Sequence, residues 1–485
     1  MRWRDFDDLP ALPDTFFQTP RRVFFIGIGG IGLSALAFAL AARGHQVSGS
    51  DANDSALLQK LREKGIETVL GHDAANIEGV DAIIYGSAIP SHHVEREAAR
   101  TKAVPEWHRA QLLAYFVNSA KQSIAVSGTH GKSSTSAMVA HALERIGLNP
   151  TALLGAEYPP FGANVRIGDP DLVVVEADES DGSFTLLHPS VAVITNVEAE
   201  HLENYSDSEA ELWRAFGIFA DNARDFVIIN ADDAELAAKL GEGATTFGIT
   251  NSADVVASDV AVEEGATAFD VEWFGKSLGR SRLGAPGNHN ISNALAALCA
   301  ADAISEEWSE AALREKSAPD LRDVLEDFTG VRRRFERVGE ADGILIYSDY
   351  GHHPTEVART LETARDFLQR PIVAVFQPHR YSRTQQLGKE FGPSFEAASQ
   401  VVITQLYSAF EEPIEGVSGR MVLDAVRATG KDAQWAETLE EARAIALKTA
   451  KPGDAIFCLG AGDIGALPQK MLNDLRDRAS LVEES

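Results

Sequence analysis

A glycine-rich turn that carries a lysine and a serine lies within residues 123–147, which read SIAVSGTHGKSSTSAMVAHALERIG. The β-branched run before the turn predicts a strand, and the segment after it predicts a helix. In such a turn, backbone N–H groups and the helix N-terminus face an anion, Lys132 neutralises its terminal phosphates, and the Ser133 hydroxyl is suited to bind Mg²⁺. The first glycine is Gly128, so the strict P-loop spacing is not met. The turn nevertheless predicts a site for ATP or another nucleoside triphosphate.

A second glycine-rich turn lies upstream, within residues 23–51, which read VFFIGIGGIGLSALAFALAARGHQVSGSD. Gly27, Gly29 and Gly32 form a full G-x-G-x-x-G between an apolar strand and an apolar helix, and Asp51 closes the next strand 19 residues later. This is the pattern of a dinucleotide-binding unit. Two anion-binding turns predict two phosphorylated ligands, one of them ATP and the other a nucleotide-like substrate or cofactor.

Acidic residues follow two predicted strands of the segment after the lysine turn. They are Glu176, Asp178, Glu179 and Asp181 after the first strand, and Glu198 and Glu200 with His201 after the second. The carboxyl ends of strands are where open α/β sheets bind ligands, and a metal triphosphate needs a carboxylate opposite the loop hydroxyl. We therefore predict Ser133, Glu176 and His201 as Mg²⁺ ligands, with a solvated acidic loop as the alternative.

Basic residues gather in the last third of the chain. Arg332, Arg333 and Arg334 are adjacent, His352 and His353 follow a strand, and the segment QPHRYSRT contains His379, Arg380 and Arg383. Arginine binds carboxylate and phosphate through paired hydrogen bonds, so we predict that the three adjacent arginines clamp a phosphate or stack on a base when domains close. The histidine and arginine clusters at the strand ends predict a pocket for a carboxylate-bearing amino acid. The alternative is that the arginines form a solvated run and the histidines are structural.

The elements that position these residues alternate between strands and helices along 485 residues, a length that suggests about three domains. We predict an α/β protein with a Rossmann-like N-terminal domain (1–118), a central P-loop ATPase-like α/β domain (119–327) and a Rossmann-like C-terminal α/β domain (328–485). Residues 253–283 alternate in short runs and predict antiparallel strands beside the central sheet, and residues 290–326 predict helix.

Composition narrows the classes of partner and location. A formal charge of -28 argues against nucleic acid and anionic membranes, since both bind surplus lysine and arginine. No apolar run approaches the length of a membrane span or a signal-peptide core, so we predict a cytoplasmic protein. Cys299 and Cys458 lie in apolar runs and are predicted to pack as small hydrophobic residues.

Ten segments in one order carry a resemblance to a known family. They read GIGGIGLSALA, GSAIP, GTHGKSST, VVEADESDGSF, ITNVEAEHLENY, GNHNISNALAA, GVRRRFE, DYGHHPTE, FQPHRYSRT and GAGDIG, and they span residues 27–465. The set resembles the Mur ligases, and within them the branch that adds L-alanine to UDP-N-acetylmuramic acid during peptidoglycan synthesis. The resemblance implies ATP and Mg²⁺ as cofactors, an acyl-phosphate intermediate, and a monomer or homodimer.

The resemblance also implies a role for individual residues. UDP-sugar binding would fall to Gly29, Gly30, Ile31, Gly32, Asp51, His72 and Ser87. ATP binding would fall to Gly128, Thr129, His130, Gly131, Lys132, Ser133, Ser134, His289, Asn290, Asn293, Arg334 and Asp349. The C-terminal domain would close over ATP and bind the amino acid through Tyr350, His353, His379, Arg380 and Arg383. Catalysis would rest on Lys132, Glu176, His201, His353 and Arg380.

Mild departures from the family pattern and three alternatives remain. Ser133 and Ser134 replace the usual threonine pair, Glu200 replaces an aspartate, and Phe216 lies near the place where sister ligases carry a modified lysine. A recycling ligase that attaches an intact tripeptide to the same sugar is one alternative. A nicotinamide-dependent oxidoreductase is the second, and it would explain only the upstream turn. A non-catalytic nucleotide-binding regulator is the third, because fold does not fix function.

Overall fold

The structure, a computed structural model, describes residues 3–6, 9–263, 266–304, 324–409 and 411–483. The chain forms two compact units, residues 1–329 and residues 330–485. The first unit contains two sheets and the second contains one. The helix predicted over residues 290–326 is described as far as residue 304. Most of the remainder, residues 305–323, lies outside the described residues.

The first sheet is parallel and has five strands in the order β3-β2-β1-β4-β5. Its strands are β1 Arg22–Ile26, β2 Gln46–Asp51, β3 Glu67–Leu70, β4 Ala82–Tyr85 and β5 Glu106–His108. The helices between and after them are α1 Ile31–Ala42, α2 Ala56–Glu63, α3 Val94–Thr101 and α4 Arg109–Ser119. The order reverses beside β1, which places the glycine-rich turn at the point where such sheets bind ligands.

The second sheet has ten strands in the order β15-β14-β13-β12-β11-β10-β6-β9-β7-β8. The strands are β6 Gln122–Ser127, β7 Pro150–Tyr158, β8 Ala163–Arg166, β9 Asp169–Glu176, β10 Val191–Ile194, β11 Phe226–Asn230, β12 Thr245–Gly248, β13 Val255–Glu263, β14 Ala266–Trp273 and β15 Lys276–Leu283. Its helices are α5 Lys132–Arg145, α6 Glu209–Asp221, α7 Ala234–Leu240 and α8 Asn288–Ile304. The antiparallel pairing of β13, β14 and β15 confirms the prediction for residues 253–283.

One apolar core joins the two sheets of the first unit. Side chains of α4, such as Phe116 and Val117, are fully buried in the same cluster as Phe25 of the first sheet and Val175 of the second. The N-terminal segment adds to this core, because Trp3 packs beside Gly182 and its ring lies 6.3 Å from that of Tyr205. The two sheets are therefore held as parts of one unit.

The second unit has a six-stranded sheet in the order β16-β17-β21-β18-β19-β20, parallel except for β16. Its strands are β16 Glu336–Ala341, β17 Ile344–Asp349, β18 Ile372–Phe376, β19 Gln400–Thr404, β20 Ala433–Ala436 and β21 Ala455–Leu459. Its helices are α9 Pro354–Leu368, α10 Tyr381–Leu387, α11 Phe391–Ser394, α12 Gly419–Ala428, α13 Leu439–Thr449 and α14 Leu467–Glu483. Apolar clusters cover both faces, as in a doubly wound fold.

The structure agrees with the predicted fold class, an α/β protein with parallel sheets. The domain boundaries at residues 118 and 327 stay predictions. Both cysteines are buried and unbridged. Among the helices in the described ranges, none combines the length and the apolar character that crossing a membrane requires.

Candidate active site

The lysine turn of the second sheet connects β6 to α5 through two glycines with left-handed backbones. Gly128 has φ +130° and Gly131, which caps α5, has φ +85°. A side chain at Gly131 would lie 2.5 Å from Oδ1 of Asn293 in α8. Glycine at 131 thus allows α8 to approach the turn and places Asn293 next to it. Ser133 and Ser134 lie in the first turn of α5 and are buried.

The segment after β10 braces this turn through backbone and side-chain hydrogen bonds. The Thr129 amide donates to the Asn196 carbonyl (3.0 Å), and the His130 amide donates to Asn196 Oδ1 (2.9 Å). Asn196 Nδ2 donates back to the His130 carbonyl (3.0 Å), and the Glu198 amide donates to Thr129 Oγ1 (2.8 Å). The turn is therefore held in shape before any anion binds.

Lys132 folds back over its own turn. Its Nζ donates to the carbonyls of Gly128 (2.7 Å) and Thr129 (3.1 Å) and lies 2.6 Å from Oε2 of the buried Glu179. Burial alone would lower the pKa of the ammonium group. The carboxylates of Glu179, Asp178 and Glu176 outweigh burial and hold the pKa of Lys132 above its usual value. The lysine is thus a fixed positive charge inside the turn.

Three groups with metal-ligand atoms come together beside the turn. His130 Nε2 lies 3.3 Å from Glu198 Oε2 and 3.7 Å from Glu200 Oε1, and the three ligand atoms lie within 4.8 Å of one another. The predicted set was different. His201 contributes a ring nitrogen 3.8 Å from Glu200 Oε2, while Glu176 accepts a hydrogen bond from the Gly155 amide (3.0 Å). Sequence reasoning treated His130 only as part of the turn.

The motif predicted on the adenine side lies at the start of α8. Asn290 is buried and donates to the Pro286 carbonyl (2.7 Å), and Asn293 donates to Asn290 Oδ1 (3.4 Å). His289 is exposed. The two asparagines thus form a short polar ladder that ends beside the lysine turn.

The glycine-rich turn of the first sheet is closed by the strand that follows it. The Gly27 and Ile28 amides donate to the Ser50 carbonyl, and the Gly29 amide donates to Asp51 Oδ2 (3.0 Å). Gly30 caps α1, and Ile31 is 53% exposed. Asp51 therefore shapes the turn, and His72 lies beyond it, with its Nδ1 3.0 Å from Ser50 Oγ.

A polar bridge joins the first sheet to the second. Ser87 Oγ donates to Asp181 Oδ2 (2.8 Å) and lies 3.0 Å from His108 Nε2, while Arg109 donates to the same Asp181 oxygen (3.4 Å). His108 Nδ1 accepts from the Ala110 amide, so Nε2 carries the proton and donates to Ser87. Burial, with Arg109 beside it, lowers the pKa of His108 to about 4.

His108 and Arg109 were missed from the sequence. His108 ends β5 and Arg109 begins α4, and a strand-to-helix junction is where such sheets bind ligands. That position was the signal that could have found them. Arg109 also lies close to the first turn, since a side chain at Gly32 would lie 3.6 Å from its guanidinium.

In the second unit, Asp349 organises the strand ends. Its carboxylate accepts from the amides of Phe335 (2.7 Å) and Gly351 (2.7 Å), and burial raises its pKa against the opposing effect of Arg334. Arg333, which we interpreted as one of three clamp arginines, instead donates to the carbonyls of Gly460 and Gly462 inside the fold. Arg334 Nη1 lies 3.6 Å from Glu356 Oε1.

Aromatic rings and cations surround the residues predicted to bind the amino acid. The guanidinium of Arg334 lies 5.0 Å from the Tyr350 ring, and the His379 ring stacks on Tyr407 at 5.6 Å. Burial and the cations of Arg383 and Arg380 lower the pKa of His379 to about 4. His353 caps α9, and Arg380 has a left-handed backbone at φ +68° at the start of α10.

Three family models match the chain in order. They are "Mur ligase family, catalytic domain" over residues 22–121, "Mur ligase middle domain" over residues 126–301, and "Mur ligase, glutamate ligase domain" over residues 333–462. Enzymes of this family are ATP-dependent ligases.

Curated proteins and a solved structure are similar to this chain over nearly its whole length. The UDP-N-acetylmuramate–L-alanine ligase of Symbiobacterium thermophilum is 41% identical over 473 residues, covering 95% of each chain. The ligase of the same name from Agrobacterium fabrum is 40% identical, covering 93% of this chain and 96% of its own. The structure of UDP-N-acetylmuramate-alanine ligase from Thermotoga maritima superposes with a TM-score of 0.81 at 30% identity, covering 94% of this chain and 100% of its own. On the identity, the coverage and the order of the matched domains, this chain belongs to the Mur ligase family.

Proposed function

We propose that this protein joins L-alanine to the lactyl carboxylate of UDP-N-acetylmuramic acid at the expense of ATP, giving ADP and phosphate, in peptidoglycan precursor synthesis. The observation that carries the proposal is the pair of glycine-rich strand-to-helix turns in one compact unit, at Gly27–Gly32 and Gly128–Lys132. The Ser87–Asp181 contact joins the sheets that carry these turns. Relatives about 40% identical bear the name of this activity.

The reaction needs phosphoryl transfer from ATP to a carboxylate. In our proposal Lys132 and the amides of its turn bind the transferring phosphate, because preformed donors stabilise the charge that develops there. The acyl phosphate is then attacked by the amine of alanine, and phosphate leaves from the tetrahedral intermediate. The first turn, with Asp51, His72 and Ser87, binds the UDP-sugar.

Mg²⁺ fits the donors beside the lysine turn. Two carboxylates, those of Glu198 and Glu200, face the imidazole of His130, and Ser133 lies in the first turn of the adjacent helix. Oxygen-rich sets of this kind suit Mg²⁺. We propose that Ser133, Glu176 and His201, together with these carboxylates, hold the ion, which when bound neutralises the triphosphate charge.

The remaining predicted residues complete the proposal. Asn290 and Asn293 would contact the adenosine, with His289 beside them, and Arg334 and Asp349 stay predicted ATP-binding residues. Tyr350, His353, His379, Arg380 and Arg383 would bind alanine. The cytoplasmic location and the monomeric or dimeric state stay predictions.

Isotope labelling tests this proposal. If the sugar carboxylate is the acceptor, labelling its oxygens with heavy oxygen and adding ATP and alanine places one label in the released phosphate. An adenylating enzyme would put the label in AMP, and an ATPase that does not activate the carboxylate would leave it in the sugar. Unlabelled phosphate would contradict the proposal.

The tripeptide-recycling ligase is the second candidate. A murein peptide ligase from Psychrobacter arcticus superposes with a TM-score of 0.66 at 23% identity, a level that shows the fold alone. The relatives named for alanine are far more similar in sequence. Supplying L-alanine or the tripeptide in parallel reactions separates the two, and we expect turnover with alanine. The oxidoreductase alternative leaves the lysine turn unexplained.

A further inference from the structure

The hairpin of β7 and β8 contacts the helix that follows the first glycine-rich turn, and one buried side chain makes a hydrogen bond across this contact. Asn164 of β8 is 4% exposed, and its Nδ2 donates to the Ile31 carbonyl at the start of α1 (2.8 Å). The Ile31 side chain is largely exposed, whereas its carbonyl is bonded to the second sheet. The turn of the first sheet is thus held by a residue of the second sheet.

Asn164 makes a second hydrogen bond within its own hairpin. The ladder between β7 and β8 shifts register between Leu153 and Tyr158. Within that stretch the Leu154 carbonyl accepts a longer hydrogen bond from Asn164 Nδ2 (3.4 Å). Irregular ladders of this kind often lie next to active sites, where they redirect one group of the strand. The Asn164 amide thus donates to two carbonyls of the protein, one on each side of the contact.

The peptide that accepts from Asn164 also orients Glu176. This peptide joins Leu154 to Gly155, and its N–H donates to Glu176 Oε2 (3.0 Å). A side chain at Gly155 would overlap the Glu176 carboxylate, so the close approach of the carboxylate requires glycine. A peptide whose carbonyl accepts a hydrogen bond is a stronger donor at its N–H. Asn164 therefore acts on Glu176 through a single peptide plane.

We propose that Asn164 is a positioning residue that fixes the first glycine-rich turn and the Glu176 carboxylate relative to each other. One side chain does both, because it holds the Ile31 carbonyl on one side and the Leu154 carbonyl on the other. What this placement means for ligands rests on the proposed function, in which Ile31 serves the UDP-sugar and Glu176 holds Mg²⁺. A displacement of about 1 Å in such a site lowers rates by about 100-fold.

A second polar contact between the same parts of the unit is exposed. Lys60 of α2 donates to Glu157 Oε1 (3.1 Å) and to the Gly162 carbonyl (3.1 Å), and the Lys60 and Glu157 side chains are each 39% exposed. Exposed ion pairs contribute little to stability. Removal of the buried Asn164 amide instead leaves two carbonyls without this donor. We therefore expect the placement to depend on Asn164 more than on Lys60.

Hydrogen exchange of the free protein tests the placement without any ligand. Asn164→Leu keeps the size of the side chain and removes both donated hydrogen bonds, and Asn164→Ala is the second variant in case the leucine prevents folding. In each folded variant the amides of residues 27–36 and 153–157 should exchange about 10-fold faster than in the wild type. Unchanged exchange in either segment would overturn the proposal.

Asn222→Leu is the matched control. Asn222 Nδ2 donates to the Thr185 carbonyl (2.8 Å), so this substitution removes a partly buried asparagine donor from a contact that involves neither turn. It should leave exchange in both segments as in the wild type. Melting curves verify that each variant folds. Equal acceleration by Asn222→Leu would indicate a general loss of stability and would overturn the specific role of Asn164.

Calorimetry then tests the consequence for the sugar. UDP-N-acetylmuramic acid should bind to Asn164→Leu about 10-fold more weakly than to the wild type, because the turn is displaced, and to Asn222→Leu with wild-type affinity. Wild-type affinity in a folded Asn164→Leu protein would overturn the role of Asn164 in sugar binding. A wild type that does not bind the sugar would contradict the proposed function alone, since hydrogen exchange still decides the placement.

A double-mutant cycle tests the link to Glu176. The measured quantity is the Mg²⁺ concentration that half-saturates binding of a non-hydrolysable ATP analogue. Asn164→Leu should raise it about 10-fold, a loss typical when the support of a metal ligand is removed. In the Glu176→Gln background the same substitution should add less than about 2-fold, because residues that act through one another are not additive. Full additivity would overturn the link between Asn164 and Glu176.

Discussion

Lys132 makes three contacts without a nucleotide, and each must be exchanged or shared when phosphates bind. Its partners are two carbonyls of its own turn and the buried carboxylate of Glu179. A buried ion pair of this kind costs desolvation, and removal of one partner strands the other charge. The role of Lys132 in stability and its role in the reaction therefore have to be separated by experiment.

Replacement of Lys132 by alanine should reduce ligase turnover by about 10²- to 10³-fold, as for other donors to a developing charge. The stranded Glu179 should also lower the free energy of unfolding by about 3 kcal/mol. The double variant Lys132→Ala/Glu179→Gln should recover the stability but not the turnover. Calorimetry should find UDP-sugar binding unchanged in both, and a parallel loss of sugar binding would contradict the assignment of the turns.

Glu179→Gln alone should tighten ATP binding by about 10-fold, because it removes the anion that competes with phosphate for Lys132. Titration with a non-hydrolysable ATP analogue measures the effect. The matched control is Asp171→Asn, which alters an exposed ion pair with Lys121. Weaker nucleotide binding by Glu179→Gln would show that the carboxylate assists the nucleotide instead.

His108 should make the fold sensitive to acid. Between pH 6.5 and about 4 the unfolded chain binds a proton at this histidine and the folded chain does not, so the free energy of unfolding falls as the pH falls. His108→Asn, which keeps a cap for α4, should remove about 3 kcal/mol of that loss. Urea unfolding of the wild type and the variant near neutral pH and near pH 4 measures this difference in the free energy of unfolding. The exposed His188→Asn should leave the pH dependence as in the wild type.

At the scale of elements, the two ends of α5 show how backbone shape and close packing combine. Gly131 at the start and Gly147 after the end both have left-handed backbones, at φ +85° and +90°. Only Gly131 has a neighbour in the space of a side chain, Asn293 Oδ1 at 2.5 Å, while Gly147 has nothing within 4 Å. Alanine in place of Gly147 therefore tests backbone strain alone, and alanine in place of Gly131 tests backbone strain together with a steric clash.

Gly131→Ala and Gly147→Ala should each lose about 1 kcal/mol of stability from the backbone alone. Only Gly131→Ala should also weaken nucleotide binding, by about 10-fold or more, because α8 is pushed away from the turn. Chemical unfolding and nucleotide titration provide both values. Equal nucleotide affinity in the two variants would contradict the role of the Asn293 contact.

Elements with a strong local pattern could be predicted, and contacts between distant segments could not. The strands before Gly27 and Gly128 are apolar runs followed by glycine turns, and they form the predicted β–turn–α units. His130 lies close to Glu198 and Glu200 because the loop after β10 packs against the turn. Asn196 of that loop accepts a hydrogen bond from the His130 amide. Arg333 looked like a ligand because nothing in its neighbours marks the carbonyls of Gly460 and Gly462 as its partners.

The whole molecule carries 72 acidic against 44 basic residues, a formal charge of -28. Such an excess destabilises the compact state by self-repulsion, and salt screens it. Raising KCl from about 0.1 M to about 1 M, which shortens the Debye length from about 10 to 3 Å, should raise Tm by several degrees. A control with sucrose at matched osmolality separates the screening of charges from the stabilisation caused by solutes that are excluded from the protein surface. A Tm that falls with KCl would contradict this prediction.

The placement of Trp3 and Arg4 has a consequence for synthesis on the ribosome. Arg4 forms an ion pair with Glu211, 207 residues later, and Trp3 packs against Gly182 and Tyr205. At about 5–20 residues per second, these partners emerge roughly 10–40 seconds after the tryptophan. During that interval the aromatic side chains of Trp3 and Phe6, which are buried in the folded protein, stay exposed, so we expect a chaperone to bind the nascent chain there.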